Sequence, residues 1–252
     1  MKKLFIFSAS FFLFIMARGQ QAESSDSKNS VGSLLNSVKR TVSGGGSGSS
    51  LSTDEIVGGL KEALSLGAKK SADKLSVVDG FFKDAAVKIL LPEQAQKVEK
   101  TLRNLGMGKM VDDAILSVNR AAEDAAKSAA PIFVDAVKKM SIQDAVGILK
   151  GTDTAATHYL KKTTTPDLTK SFKPVIDSSL QKTDATKYWK TVFETYNNLP
   201  TTFKKVDTDL SSYVTQKAMD GIFYYVAIEE KKIRKDPAAQ VTDLLKKVFG
   251  GK

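Results

Sequence analysis

The chain contains no cysteine. No disulfide can staple it, and no thiolate can bind zinc, attack a substrate or carry a lipid anchor. Its fold must therefore rest on its apolar core. Histidine is almost as scarce, with His158 the single one among 252 residues. One imidazole cannot fill an H-E-x-x-H zinc site, and no G-x-S-x-G elbow accompanies it for a serine triad. His158 is read as structural or surface-exposed. No D-x-D-x-D-G calcium loop occurs among the carboxylates. Proline is limited to six positions, each where a helix would start, kink or stop. No series of alternating strands is present; residues 86–91 are the only stretch with strand character, and one strand cannot make a sheet. Beyond residue 19, no apolar run approaches the roughly 20 residues that span a bilayer.

The N-terminus has its own composition. Lys2 and Lys3 precede an apolar core over residues 4–16, and Ala17-Arg18-Gly19 puts small residues at −3 and −1 of a cleavage site. Residues 1–19 thus read as a secretory signal peptide, and the address as exported, periplasmic or secreted. Without Lys2, Lys3 and Arg18 there remain 35 basic against 28 acidic side chains, a net charge of +7. That charge suits a basic soluble surface, or attraction to anionic envelope material. Export and the lack of a recognised binding motif argue against nucleic acid as a partner. Residues 20–50, rich in Ser and Gly, read as a flexible linker. Within it Val31, Leu34, Leu35 and Val38 recur at helical spacing and outline a short amphipathic helix, open to docking on the domain, touching a membrane surface, or doing neither.

Residues 51–250 read as one all-α domain, an irregular bundle of about nine to eleven helices. Ser52-Thr53-Asp54-Glu55 is a capping box. Pro92 is placed at the start of a helix that Gly106 ends. A long Ala-rich helix runs over residues 110–130 until Pro131 kinks or restarts it. Ser141 with Asp144 caps the next helix, and Asp153 the one after that. Thr165-Pro166 starts another, bent at Pro174, and residues 188–196 form an aromatic-rich helix. Residues 237–249 close the domain as a helix.

The organising stretch is residues 209–234. Leu210, Val214, Ala218, Gly221, Tyr225 and Ile228 fall in one stripe at about 100° per residue. Residues 222–228 are apolar all round, which marks a helix buried on most sides. Gly221, on the stripe, would let another helix come close. Glu229 lies on the flank of the stripe and is expected to face the core, paired with Arg120 or, less favourably, with Lys232. Glu230 points to the opposite side, four residues before Arg234, as an exposed pair.

NRAAE over residues 119–123, ILKGTDTAAT over 148–157, YVTQKAMDGIF over 213–223, EEKKIRKDPAA over 229–239 and LLKKVFG over 244–250 resemble the bacterial family called domain of unknown function 4197. The resemblance covers nearly all of residues 51–250 and leaves the linker outside. It implies a helical fold and an envelope address, and no activity.

Chemistry is thin. The candidate site residues are Asn119, Arg120, Glu123 and Glu229, read as a buried polar network or as the polar end of a ligand pocket. The network would tie the helix bearing Asn119 to the central one. In the pocket reading, Arg120 binds an acidic head group. No metal, cofactor or catalytic residue is assigned. The leading function is an exported binding or interaction module that takes an amphipathic ligand, or a segment of an envelope protein, between helices. A hydrolase using helical carboxylates and a structural protein associating with anionic envelope material remain the alternatives.

Overall fold

The computed structural model describes residues 52–182, 185–198, 205, 209–240 and 242–249. The signal-peptide stretch 1–19, the linker 20–50 and its amphipathic segment 31–38 lie outside the described residues.

Every described element is helical. The helices are α1 (Thr53–Leu75), α2 (Gln96–Asn104), α3 (Gly108–Ala126), α4 (Ala129–Lys139), α5 (Ile142–Lys150), α6 (Ala155–Gln181), α7 (Ala185–Asn197), α8 (Leu210–Lys235) and α9 (Asp243–Phe249). Short 3-10 turns occupy Glu93–Ala95 and Pro237–Ala239. There is no strand among the described residues, and residues 88–92 are irregular chain without a strand partner.

The expected central stretch is α8, which packs against α6, α1 and α3. Three helical neighbours explain its burial. Leu210, Val214, Ala218, Met219, Ile222, Phe223, Val226 and Ile233 are all buried. Helix α3 meets this centre through Ala121, Ala122, Ala125 and Ala126, all fully buried. Such small side chains let helix axes approach closely, so packing contacts replace side-chain bulk. Phe81, Phe133, Phe172 and Phe193 are fully buried in the core. Burying each stabilises the fold by about 2–3 kcal/mol against leaving it exposed.

The two capping boxes are in place. Ser52 and Glu55 exchange hydrogen bonds of 2.7 and 3.2 Å at the start of α1, and Ser141 and Asp144 do so for α5 at 3.1 Å each. The prolines act differently from expectation. The break between α3 and α4 falls at Lys127 and Ser128, and Pro131 lies inside the first turn of α4, where its missing N–H would have no partner anyway. Pro166 and Pro174 both lie within α6, which runs unbroken for 27 residues. Around Pro166 the hydroxyls of Thr163, Thr164, Thr165 and Thr169 each bond a carbonyl four residues upstream. None of them reaches the Lys162 carbonyl, the one whose helical donor Pro166 lacks. Two expected helices thus merge into one.

The start of α6 brings a further correction. Its N-cap is Thr154, which makes no side-chain capping bond, and Asp153 pairs instead with Lys235. The cap comes from 74 residues away: Glu230 Oε1 accepts the Ala156 N–H at 2.9 Å. Glu230 Oε2 accepts the Thr157 N–H at 2.9 Å and the Thr157 hydroxyl at 2.8 Å. Arg234 donates to the same carboxylate at 2.9 and 3.0 Å and also reaches the Ile148 carbonyl at 2.8 Å. The Glu230–Arg234 pair expected on the surface is therefore buried, with side chains 4% and 9% exposed. A carboxylate at a helix N-terminus meets unpaired N–H groups and the positive end of the helix dipole.

Glu229, expected to face the core paired with Arg120 or, less favourably, with Lys232, lies beside Glu230 with its side chain 15% exposed, and the pair it makes is the second of these. Its stem passes Gly67 of α1, and its carboxylate takes Lys232 at 2.7 Å. One turn of α8 thus packs both carboxylates against neighbouring helices, with Glu230, expected on the surface, the deeper of the two. The reason is that a helix wrapped by three neighbours buries the face opposite its apolar stripe as well.

Glu230→Ala leaves Arg234 buried and two helix N–H groups unpaired. It is expected to lower the unfolding free energy by about 3–5 kcal/mol in urea. Glu229→Ala is expected to lose under about 1 kcal/mol. Equal losses would contradict the assignment of the buried carboxylate.

Candidate functional site

Between α1 and α2 lies a connection of tight turns over residues 76–87, leading into irregular chain at 88–92. Such a segment carries backbone donors and acceptors that no helix ladder satisfies. Helix α3 supplies the partners. Glu123, 4% exposed, accepts the N–H groups of both Phe81 and Phe82 through Oε1 at 3.1 Å. Its other oxygen takes Arg120 Nη1 at 2.6 Å. Asn119, fully buried, faces Ile89: Oδ1 accepts the Ile89 N–H and Nδ2 donates to the Ile89 carbonyl, each at 2.8 Å. The amide side chain thus pairs with Ile89 as a residue of a neighbouring strand would. Its second amide hydrogen bonds the Ile115 carbonyl at 2.7 Å.

Arg120 also reaches Asp79, at 2.7 Å. Asp79 has φ of 71°, the left-handed region that costs a non-glycine residue about 1–2 kcal/mol. Lys83 holds the other Asp79 oxygen at 2.7 Å. Farther along, Asp84 accepts the Tyr225 hydroxyl, pairs with Lys74 at 3.3 Å and accepts the Ala86 N–H at 3.1 Å. Ties from α1, α3 and α8 therefore hold the connection.

The structure thus brings Asn119, Arg120 and Glu123 together, and leaves Glu229 out. It also redirects the network. These residues do not bond α8; they bond the loop, and the loop meets α8. Gly221 is where that happens. A Cβ there would stand 2.6 Å from Phe81 Cε1 and 3.3 Å from Val87 Cβ. The close approach expected at Gly221 is real, and its partner is a loop rather than a helix.

The far side of this loop forms one wall of an open groove of about 660 Å³, and α8 forms the other. Lys88, Leu90 and Glu93 line the loop wall; Tyr213, Lys217 and Tyr224 line the helix wall. Leu90 is 52% and Tyr224 46% exposed. The Tyr213 hydroxyl donates to the Leu90 carbonyl at 2.7 Å, and burial pushes its phenol up to about 12. It is a neutral donor near neutral pH. Lys88 stands over the Phe82 ring at 4.2 Å and Lys217 over the Tyr213 ring at 5.8 Å. A second cavity of about 410 Å³ lies between α5 and α6, lined in part by Val146, Ile148 and Tyr159.

None of Asn119, Arg120 and Glu123 lines the groove. Arg120, the residue read as a head-group ligand, already has two carboxylates. Sequence reasoning missed the groove residues. A signal was present: Tyr213, Lys217 and Tyr224 share a helical stripe at i, i+4 and i+11, beside an apolar run with no strand to pair with. His158 is exposed on α6. Among the described residues, no group of three His, Asp or Glu is close enough to hold a metal ion. No described helix is long and apolar enough to cross a membrane.

Because Gly221 is packed under the loop, Gly221→Val should overpack this junction. A loss of about 2–3 kcal/mol in urea unfolding is expected. A neutral result would show that Phe81 and Val87 do not bear on α8.

Comparison with curated proteins and with solved structures finds no match. The family described as "Protein of unknown function (DUF4197)" matches residues 50–250, the whole helical domain described above. The chain belongs to this family of proteins of unknown function.

Proposed function

We propose that this protein is a binding module of the bacterial envelope, and that it takes an amphipathic ligand or a partner segment in the groove between residues 86–93 and α8. The observation that carries this reading is the loop wall. Two buried polar side chains, Asn119 and Glu123, hold a non-helical backbone in place. Burying such groups costs free energy that apolar residues would not, and their bonds only offset that cost. The return is a pre-organised wall whose outer face presents Leu90 to solvent opposite Tyr224. A pre-ordered wall lowers the entropic cost of binding. The volume is within the range of small-ligand sites, and the mixture of apolar surface with lysines and carboxylates suits an amphipathic occupant. The envelope address rests on residues 1–19 and on the net charge of +7 that remains without them.

Native mass spectrometry of the mature protein, purified gently from its own host, tests the reading. A bound species is expected on the wild type. Lys217→Trp places an indole in the groove from an exposed position of α8, and should remove that species without changing Tm. An empty wild type, or a species retained by the variant, contradicts the groove as the binding site.

A further inference from the structure

Trp189 is the single tryptophan of the chain. It is buried on α7, and its indole N–H has no hydrogen-bond partner among the described residues. An indole nitrogen can only donate, and a buried donor left unpaired is costly. The ring lines a narrow crevice of about 20 Å³ between α2, α3 and α7. Leu91, Leu102, Met110, Val111, Ala114 and Phe193 complete the lining, and all are apolar. A water there would lack the several polar partners that hold a buried water in place. The cover of the crevice is lightly held. Helix α2 has nine residues, none of them buried, and so short a helix is marginal by itself. Its side-chain tie to α3 is an exposed ion pair, Arg103 to Asp112 at 2.7 Å. Gly106, with φ of 81°, turns the chain from α2 into α3, and Leu105 and Met107 beside it are exposed. Helix α2 can therefore lift about this turn at small cost.

The crevice backs onto the groove. Leu91 lines both, and the Tyr213 ring of the groove wall packs on Trp189 with centroids 5.2 Å apart. These features constrain an occupant. Its body is apolar, because the lining is apolar. It is narrow: a cavity that holds a benzene ring measures roughly 150 Å³, so a methylene chain displaces α2 least. It carries an acceptor for the indole N–H, and an uncharged one, since a carboxylate buried beside a single donor would be far more costly. Resting on the groove reading for the place of its polar end, we propose that the crevice takes the acyl chain of an ester- or amide-linked lipid. The Trp189 N–H donates to the acyl carbonyl, and the chain lies beneath α2 against Met110 and Phe193. The polar end stays in the groove, where Lys88, Glu93, Lys217 and Asp220 offer charges of both signs.

Trp189 fluorescence reads the crevice directly, because no other tryptophan contributes. The probes are a monoacyl phospholipid brominated at mid-chain and kept below its micelle concentration, the brominated free fatty acid of the same length, and vesicles of brominated diacyl phospholipid. The monoacyl lipid is expected to quench most of the Trp189 emission, and the free fatty acid to bind roughly tenfold more weakly. Ala114→Leu fills the crevice from a half-buried position and should abolish quenching without lowering Tm. Trp189→Phe keeps a ring and removes the donor; by calorimetry it should weaken the lipid about fivefold to tenfold, and it serves if Ala114→Leu lowers Tm. A monoacyl lipid that leaves Trp189 bright overturns the proposal. So do a fatty acid that binds as tightly as the lipid, an affinity that both variants leave unchanged, and quenching by vesicles alone, which would mark contact with a bilayer surface. If Trp189 stays bright while Lys217→Trp removes the species carried by host-purified protein, the crevice fails and the groove reading stands. If Trp189 is quenched and that species survives Lys217→Trp, the groove reading fails and the crevice stands alone.

Discussion

Everything distinctive about this fold depends on one constraint: a buried helix must satisfy the backbone of a loop that cannot satisfy itself. Glu123 and Asn119 do this from α3, one through two N–H groups and the other through a strand-like pair with Ile89. Water cannot take their place, because both side chains are buried. Once the backbone of Phe81 is fixed, its ring is fixed as well, and Gly221 of α8 must leave room for it. The polar clamp on α3 and the missing side chain on α8 are two halves of one junction. Arg120 and Asp79 complete it at its strained end.

The same economy recurs at the other end of α8. Glu230 reaches across to the first turn of α6 and does the work of an N-cap that Thr154 does not do. Arg234 keeps that carboxylate paired and ties in the last turn of α5. Helix α8 is thus central in two senses. It fills the core with apolar side chains, and it places a carboxylate where a neighbouring helix starts. A chain without cysteine has no covalent staple. Buried side-chain-to-backbone bonds of this kind give the packing its specificity, where apolar contacts alone would fit many arrangements.

The class of fold was legible from periodicity and from the placement of caps, because both are local properties. The all-helical architecture, the central position of α8 and the capping boxes at Ser52 and Ser141 follow from spacing alone. What failed was whatever depends on neighbours. A helical wheel assumes one buried face, so it put Glu230 outside; three packed helices around α8 bury it, deeper than Glu229. Proline rules expect breaks, whereas α6 runs unbroken through two prolines. Asn119, Arg120 and Glu123 were recognisable as a polar set on one flank of a helix. Their partner was not, because main-chain groups of a distant loop have no sequence signature. The groove was hidden for the same reason, since one of its walls is that loop.

The position of the loop therefore decides the account. A wall that is rigid on its inner side and open on its outer side is a platform for a partner; a wall that moves freely is only a connection. Amide hydrogen exchange separates the two. The account predicts slow exchange, near the global unfolding limit, for the amides of Phe81, Phe82 and Ile89, which bond Glu123 and Asn119. It predicts much faster exchange for the Leu90 amide, the immediate neighbour without a partner among the described residues. Exchange of Phe81, Phe82 and Ile89 as fast as that of Leu90 would contradict it.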